Sequence, residues 1–138
     1  MAILVPYDGS HPAQNAIEHA VRTTGDEEII LLRVIEVASG SIQAGINLVQ
    51  EKLKEKQEEE ADELSEEIET ILDADRVEFR VETAVGKPSR EIVSFAEEHD
   101  ITQIIIGSHG REGVSRVLLG NVAENVVRRA PTTVTVVR

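Results

Sequence analysis

Ile101-Thr102-Gln103-Ile104-Ile105-Ile106 runs directly into Gly107-Ser108-His109-Gly110-Arg111-Glu112-Gly113. A short apolar run rich in β-branched residues reads as a strand covered on both faces. The glycines that follow let backbone N–H groups approach a ligand without a Cβ in the way. Beyond the loop, Gly120-Asn121 opens a helix over 121–129 with Val122, Val126 and Val127 at helical spacing, and Thr133-Val134-Thr135-Val136-Val137 closes as another strand. Buried strand, glycine loop, helix and strand in succession describe one unit of an α/β fold.

The same alternation covers the rest of the 138 residues. Ile3-Leu4-Val5 forms a first strand that ends in the turn Pro6-Tyr7-Asp8-Gly9-Ser10. Ser10 or His11 can cap the next helix, Pro12 suits its first turn, and Ala13, Ala16, Ile17, Ala20 and Val21 recur at three- and four-residue spacing. Gly25 is expected to end it. Residues 29–37 are almost continuously aliphatic, as a strand buried in a parallel sheet should be. A long helix is expected over 46–72, with Ile46, Val49 and Leu53 at one end and Leu64, Ile68 and Ile71 at the other. Residues 54–60 between them contain nothing apolar and read as a solvated face. Residues 77–83 alternate strictly, with Glu78, Arg80 and Glu82 toward water, which suits a sheet edge. Gly86-Lys87-Pro88 then turns the chain into a helix carrying Ile92, Val93 and Ala96. The expected fold is a single-domain, doubly wound, open parallel sheet of five strands in the order 3-2-1-4-5, with helices on both faces and right-handed crossovers.

Composition narrows the function. No uncharged apolar run approaches the length that spans a bilayer, and no basic segment leads into an apolar stretch at the N-terminus, so a cytoplasmic protein is expected. The absence of cysteine removes disulfides, thiolate metal sites and a cysteine nucleophile. His11, His19, His99 and His109 show no close pairing, so no metal site is expected. A net charge of −12 and 2% aromatic residues argue against nucleic acid, which needs basic surface or stacking platforms. The charge is also unevenly spread, with a net −9 over 51–75 and +3 over 107–138. The C-terminal quarter can therefore accept a small anion. In open parallel sheets the ligand crevice lies beyond the carboxyl ends of the strands where chain order reverses, which brings Asp8-Gly9-Ser10 and the 107–113 loop together. Asn121 with Glu124 three residues later also matches a capping box.

Ile104-Ile105-Ile106-Gly107-Ser108-His109-Gly110, followed by Gly120-Asn121 and Ala130-Pro131, resembles the universal stress protein family. The spacing of Gly107, Gly110 and Gly120 fits the Gly-x2-Gly-x9-Gly-(Ser/Thr) motif of its nucleotide-binding members. Pro6-Tyr7-Asp8-Gly9-Ser10, Arg33-Val34 and Gly86-Lys87-Pro88 extend the likeness over nearly the whole chain. The resemblance implies a dimer and an adenine-nucleotide site. Asp8 would face the adenosine portion beside Pro6 and Tyr7, the backbone of Val34 would address the adenine, and Gly107, Gly110, Gly120 and Asn121 would line the ribose–phosphate path with His109, Arg111 and Val122. The implied ligand is ATP, with AMP or ADP as alternatives and Mg2+ reached through the phosphates. The implied role is a stress-response signalling or regulatory switch. Asn121 stands where the motif prefers a hydroxyl. Its amide still donates, but the alternatives of a nucleotide-free dimeric scaffold and a slow nucleotide hydrolase stay open.

Dedicated catalysis is not expected. Asp8, Ser10, Ser108 and His109 could be assembled as a hydrolytic set, yet nothing in their spacing demands it, and turn, cap and loop roles account for them. Gly86-Lys87 is not a Walker-type loop, since Val81 and Pro88 occupy the positions of its first glycine and its Ser or Thr. The final strand carries no charge before Arg138, so of the two sheet edges it is the one expected to pair with a second copy, and the resemblance implies the same homodimer.

Overall fold

The computed structural model describes residues 1–25, 27–36, 79–108 and 121–138, together with single helical positions at 55, 58, 59, 62, 63 and 66. Five strands, β1 (Ala2–Pro6), β2 (Glu28–Ile35), β3 (Phe79–Val85), β4 (Ile101–Gly107) and β5 (Thr133–Val137), form one sheet in the order β3-β2-β1-β4-β5. Every neighbouring pair is parallel. The described helices are α1 (His11–Thr23), α2 (Pro88–Glu98) and α3 (Asn121–Arg129). The architecture and strand order are those expected from the sequence.

Burial on both faces follows from the apolar runs. Ile29, Ile30, Leu31 and Leu32 of β2 are each at most 2% exposed, so consecutive side chains on opposite faces are equally covered. One face joins Ile3, Val5, Ile29, Leu31 and Ile105 to the α1 residues Ala13, Ala16, Ile17 and Ala20. The other joins Leu4, Ile30, Leu32, Ile104 and Ile106 to Ile92 and Ala96 of α2 and Ala123 and Val126 of α3. Each fully buried aliphatic side chain contributes roughly 1.5–3 kcal/mol, and the sheet divides that contribution between two layers.

Local differences from the sequence reading have local causes. The second strand stops at Ile35, ahead of the expected 37; Glu36 has left it and Val37 lies outside the described residues. The edge strand runs on to Val85, two residues past the expected 83, and is described from Phe79, with 77 and 78 outside the described residues. Arg80 in it lies 3.1 Å from Glu82 and 3.7 Å from Glu28. Gly25 does not end α1. Thr24 caps the helix in extended conformation, its N–H donating to the Ala20 carbonyl at 2.8 Å and its hydroxyl to the same oxygen, while the Thr23 hydroxyl donates to the His19 carbonyl at 2.8 Å. The two threonine hydroxyls thus fold back onto carbonyls of the last turn, and Thr24, not Gly25, is the capping residue.

The capping box also fails. Asn121 is itself helical, and the Glu124 carboxylate accepts from Arg128 at 2.9 Å, one turn later, instead of reaching back to the helix start. The long helix expected over 46–72 lies mostly outside the described residues. Glu55, Glu58, Glu59, Asp62, Glu63 and Glu66 within it are helical and exposed, as a solvated face requires.

Candidate functional site

The chain leaves β1 through Tyr7, which is buried, and Asp8, which is exposed. The Ser10 N–H donates to Asp8 Oδ1 at 3.0 Å, and Ser10 Oγ in turn accepts from the Ala13 N–H at 3.2 Å. Gly9 between them takes φ +85°, a conformation that L side chains rarely adopt. These three residues reverse the chain into α1, so the turn and cap roles read from the sequence for Asp8 and Ser10 are the ones observed.

β1 and β4 are neighbours, and the chain runs from β1 outward to β3 before returning to β4. The order of strands therefore reverses between them, and a crevice must open beyond their carboxyl ends. A cleft enclosing about 230 Å3 lies there. Pro6, Tyr7 and Asp8 from the end of β1, Leu32, Arg33, Val34 and Glu36 from β2, and Ile106 and Gly107 from β4 form one side. Pro88 and Ile92 of α2 and Val122 of α3 close the other, and Ala13 reaches it from α1.

Backbone direction gives the cleft a specific polar edge. The Tyr7 N–H donates to the Leu32 carbonyl at 2.9 Å, and the Gly86 N–H to the Ile35 carbonyl at 3.0 Å. Backbone groups turn to alternate sides along a strand, so Leu32 and Val34 point toward β1 while Arg33 and Ile35 point toward β3. The last residue of β1, Pro6, is paired with Leu32. Val34 lies two residues further on, and its N–H and C=O are turned into the space vacated where β1 gives way to the Gly9 turn. A donor and an acceptor side by side against apolar walls can read the edge of a flat heterocycle.

Gly107 serves packing as well as the cleft. A Cβ there would stand 2.5 Å from the Pro12 carbonyl carbon, 2.6 Å from its oxygen and 2.7 Å from the Ala13 nitrogen. It belongs to β4, paired with Val137, and not to the loop. Its lack of a side chain lets the first turn of α1 lie directly on the end of the sheet.

Of the residues expected at a site, Pro6, Tyr7, Asp8, Val34, Gly107 and Val122 are brought together around the cleft. Asn121 is exposed at the start of α3, beside Val122. His109, Gly110, Arg111 and Gly120 lie outside the described residues. Arg33, Glu36, Pro88 and Ile92 line the cleft without having been expected as site residues. Arg33 Nη1 sits 3.9 Å from where a Gly9 Cβ would be, so its guanidinium lies near the turn. The sequence offers Glu36 only as a carboxylate directly beyond the aliphatic run of β2.

Residues 1–138 match the universal stress protein family. Universal stress protein MJ0577 of Methanocaldococcus jannaschii is 35% identical over 153 residues, covering 99% of this chain and 93% of the relative. Its solved structure superposes with a TM-score of 0.71, covering 99% of this chain and 94% of that one. Universal stress protein UspA from Lactobacillus plantarum superposes with a TM-score of 0.78 at 26% identity, covering 100% and 97%. The fold is shared at lower identity by an Arabidopsis thaliana protein of the family solved with AMP bound, at 18% and a TM-score of 0.64, and by a universal stress protein in complex with cAMP, at 21% and 0.64. Likeness along the full length, in sequence and in three dimensions, leaves one assignment: the chain belongs to the universal stress protein family.

Proposed function

We infer that this chain binds an adenine nucleotide, ATP in the first instance, in the cleft beyond β1, β2 and β4, and acts as a homodimeric stress-response switch whose occupancy is read by partner proteins. The observation that carries the reading is the pair of Val34 backbone groups turned into an apolar cleft at the reversal of strand order. Adenine presents an acceptor beside a donor on its Watson–Crick edge and matches that pair. Pro6, Ile92 and Val122 supply apolar wall for the ring. Asp8 stands at the mouth for the ribose, with one carboxylate oxygen already engaged by Ser10. Two solved proteins that share the fold carry AMP and cAMP, which supports an adenosine monophosphate moiety as the common denominator. The phosphates would run toward Gly107 and the start of α3, and magnesium would be carried on them.

Denaturing the purified protein and analysing the released small molecules tests the reading. Recovered ATP, ADP or AMP, followed by rebinding of the same nucleotide in calorimetry, is the expected result. Failure to recover any nucleotide, with no heat on adding ATP, would leave the nucleotide-free scaffold in its place.

A further inference from the structure

We propose that Glu36 is a specificity-determining residue of the cleft, selecting purines that carry an amino group at position 6 over those that carry an oxo group. This rests on the nucleotide reading above. Glu36 follows β2 directly, and it lines the cleft together with Leu32 and Val34. Val34 turns an N–H and a C=O toward the base, and Glu36, two residues further on, lines the same cleft. Among the described residues no hydrogen bond or ion pair engages that carboxylate. The two other charged side chains of the described lining are Asp8, bound to the Ser10 N–H, and Arg33, on the alternate face of β2 close to Gly9.

An ionised carboxylate accepts hydrogen bonds and donates none. A 6-amino group has two hydrogens, one for the Val34 carbonyl and one for Glu36. A 6-oxo group would set its lone pairs against the carboxylate, and the base would also have to shed its water without replacement. Glu36 is exposed, so solvent competes for it, and its share of the discrimination falls at the lower end for a charge-assisted hydrogen bond, about tenfold.

Calorimetry of the full chain with ATP and ITP tests this, because the two differ at position 6 and at the proton state of the adjacent ring nitrogen. The parent should prefer ATP. Glu36→Gln should narrow the ATP-to-ITP ratio by about tenfold, since the new amide can donate to the oxo group, while Val34 retains part of the preference. Glu36→Ala should weaken ATP and leave ITP unchanged or tighter, and circular dichroism should find both variants folded, as an exposed position allows. A ratio identical in parent and variants would overturn the role of Glu36 while leaving nucleotide binding intact. If the parent binds ATP and ITP equally, the selection itself is absent. If it binds neither, the nucleotide reading fails, and this one with it.

Discussion

A methyl group at Gly107 would run into the Pro12–Ala13 peptide, whereas at Gly25 it would meet nothing within 4 Å. The two positions therefore predict opposite outcomes for the same substitution. Gly107→Ala has to push the first turn of α1 off the sheet, because carbonyl and amide atoms of Pro12 and Ala13 cannot rotate away as a side-chain tip can. The expected loss is about 1–3 kcal/mol, the usual cost of forcing extra volume into a closely packed contact. Nucleotide affinity should fall with it, because α1 and β4 both border the cleft. Gly25→Ala removes freedom from the unfolded chain without native strain, since its φ is not positive, and should raise stability by about 0.4–1 kcal/mol. Urea denaturation of the two variants beside the parent decides both, and a stable Gly107→Ala protein would show that the close approach of α1 is not required.

At the level of elements, α1 depends on its first turn. Ser10 accepts from the Ala13 N–H, Asp8 accepts from the Ser10 N–H, and the stripe Ala13, Ala16, Ile17 and Ala20 seats the helix on the sheet. Ser10→Ala should cost about 1 kcal/mol, within the range of 0.5–2 for a lost cap, and should lower ATP affinity as well, because the same hydroxyl orders the turn at the cleft mouth. A drop in thermal midpoint with unchanged nucleotide affinity would separate capping from binding. These elements were legible from the sequence in proportion to how local their causes are. Aliphatic runs fixed β1, β2 and β4, and three- and four-residue spacing fixed the buried face of α1. The closing of α1 by Thr23 and Thr24 was hidden, because a hydroxyl reaching back to its own helix leaves no pattern that distinguishes it from a surface threonine. The packing role of Gly107 was hidden for a different reason. Its contact partner is about 95 positions away in sequence, and the spacing that made it look like a phosphate-loop glycine carries no record of that contact. At the cleft, the strand-end residues Pro6 to Asp8 and Val34 were found from motif and turn, while Pro88 and Ile92 enter only because α2 folds over the sheet.

The whole molecule has two sheet edges, and they are unequally protected. At the β3 edge Arg80 is held between Glu28 and Glu82, a charged cluster that disfavours pairing with another strand. At the other edge β5 offers Thr133-Val134-Thr135-Val136-Val137 with no charge, and its end is held in place by Asn15 donating to the Arg138 carbonyl at 3.1 Å. The Ser108 N–H donates to the Val137 carbonyl at 2.7 Å, so Val137 faces β4 and alternation turns the N–H and C=O of Val134 and Val136 outward. Two copies meeting antiparallel about a two-fold axis would let these outward groups pair with each other. Proline at Val136 removes an outward donor but no bond to β4, and edge positions tolerate proline, so the fold should survive while the association weakens. Light scattering at micromolar concentration should give a dimer for the parent and a monomer, or a dimer that dissociates on dilution, for Val136→Pro, with the circular dichroism of the two alike. A monomeric parent, or a variant as tightly dimeric as the parent, would remove β5 as the interface.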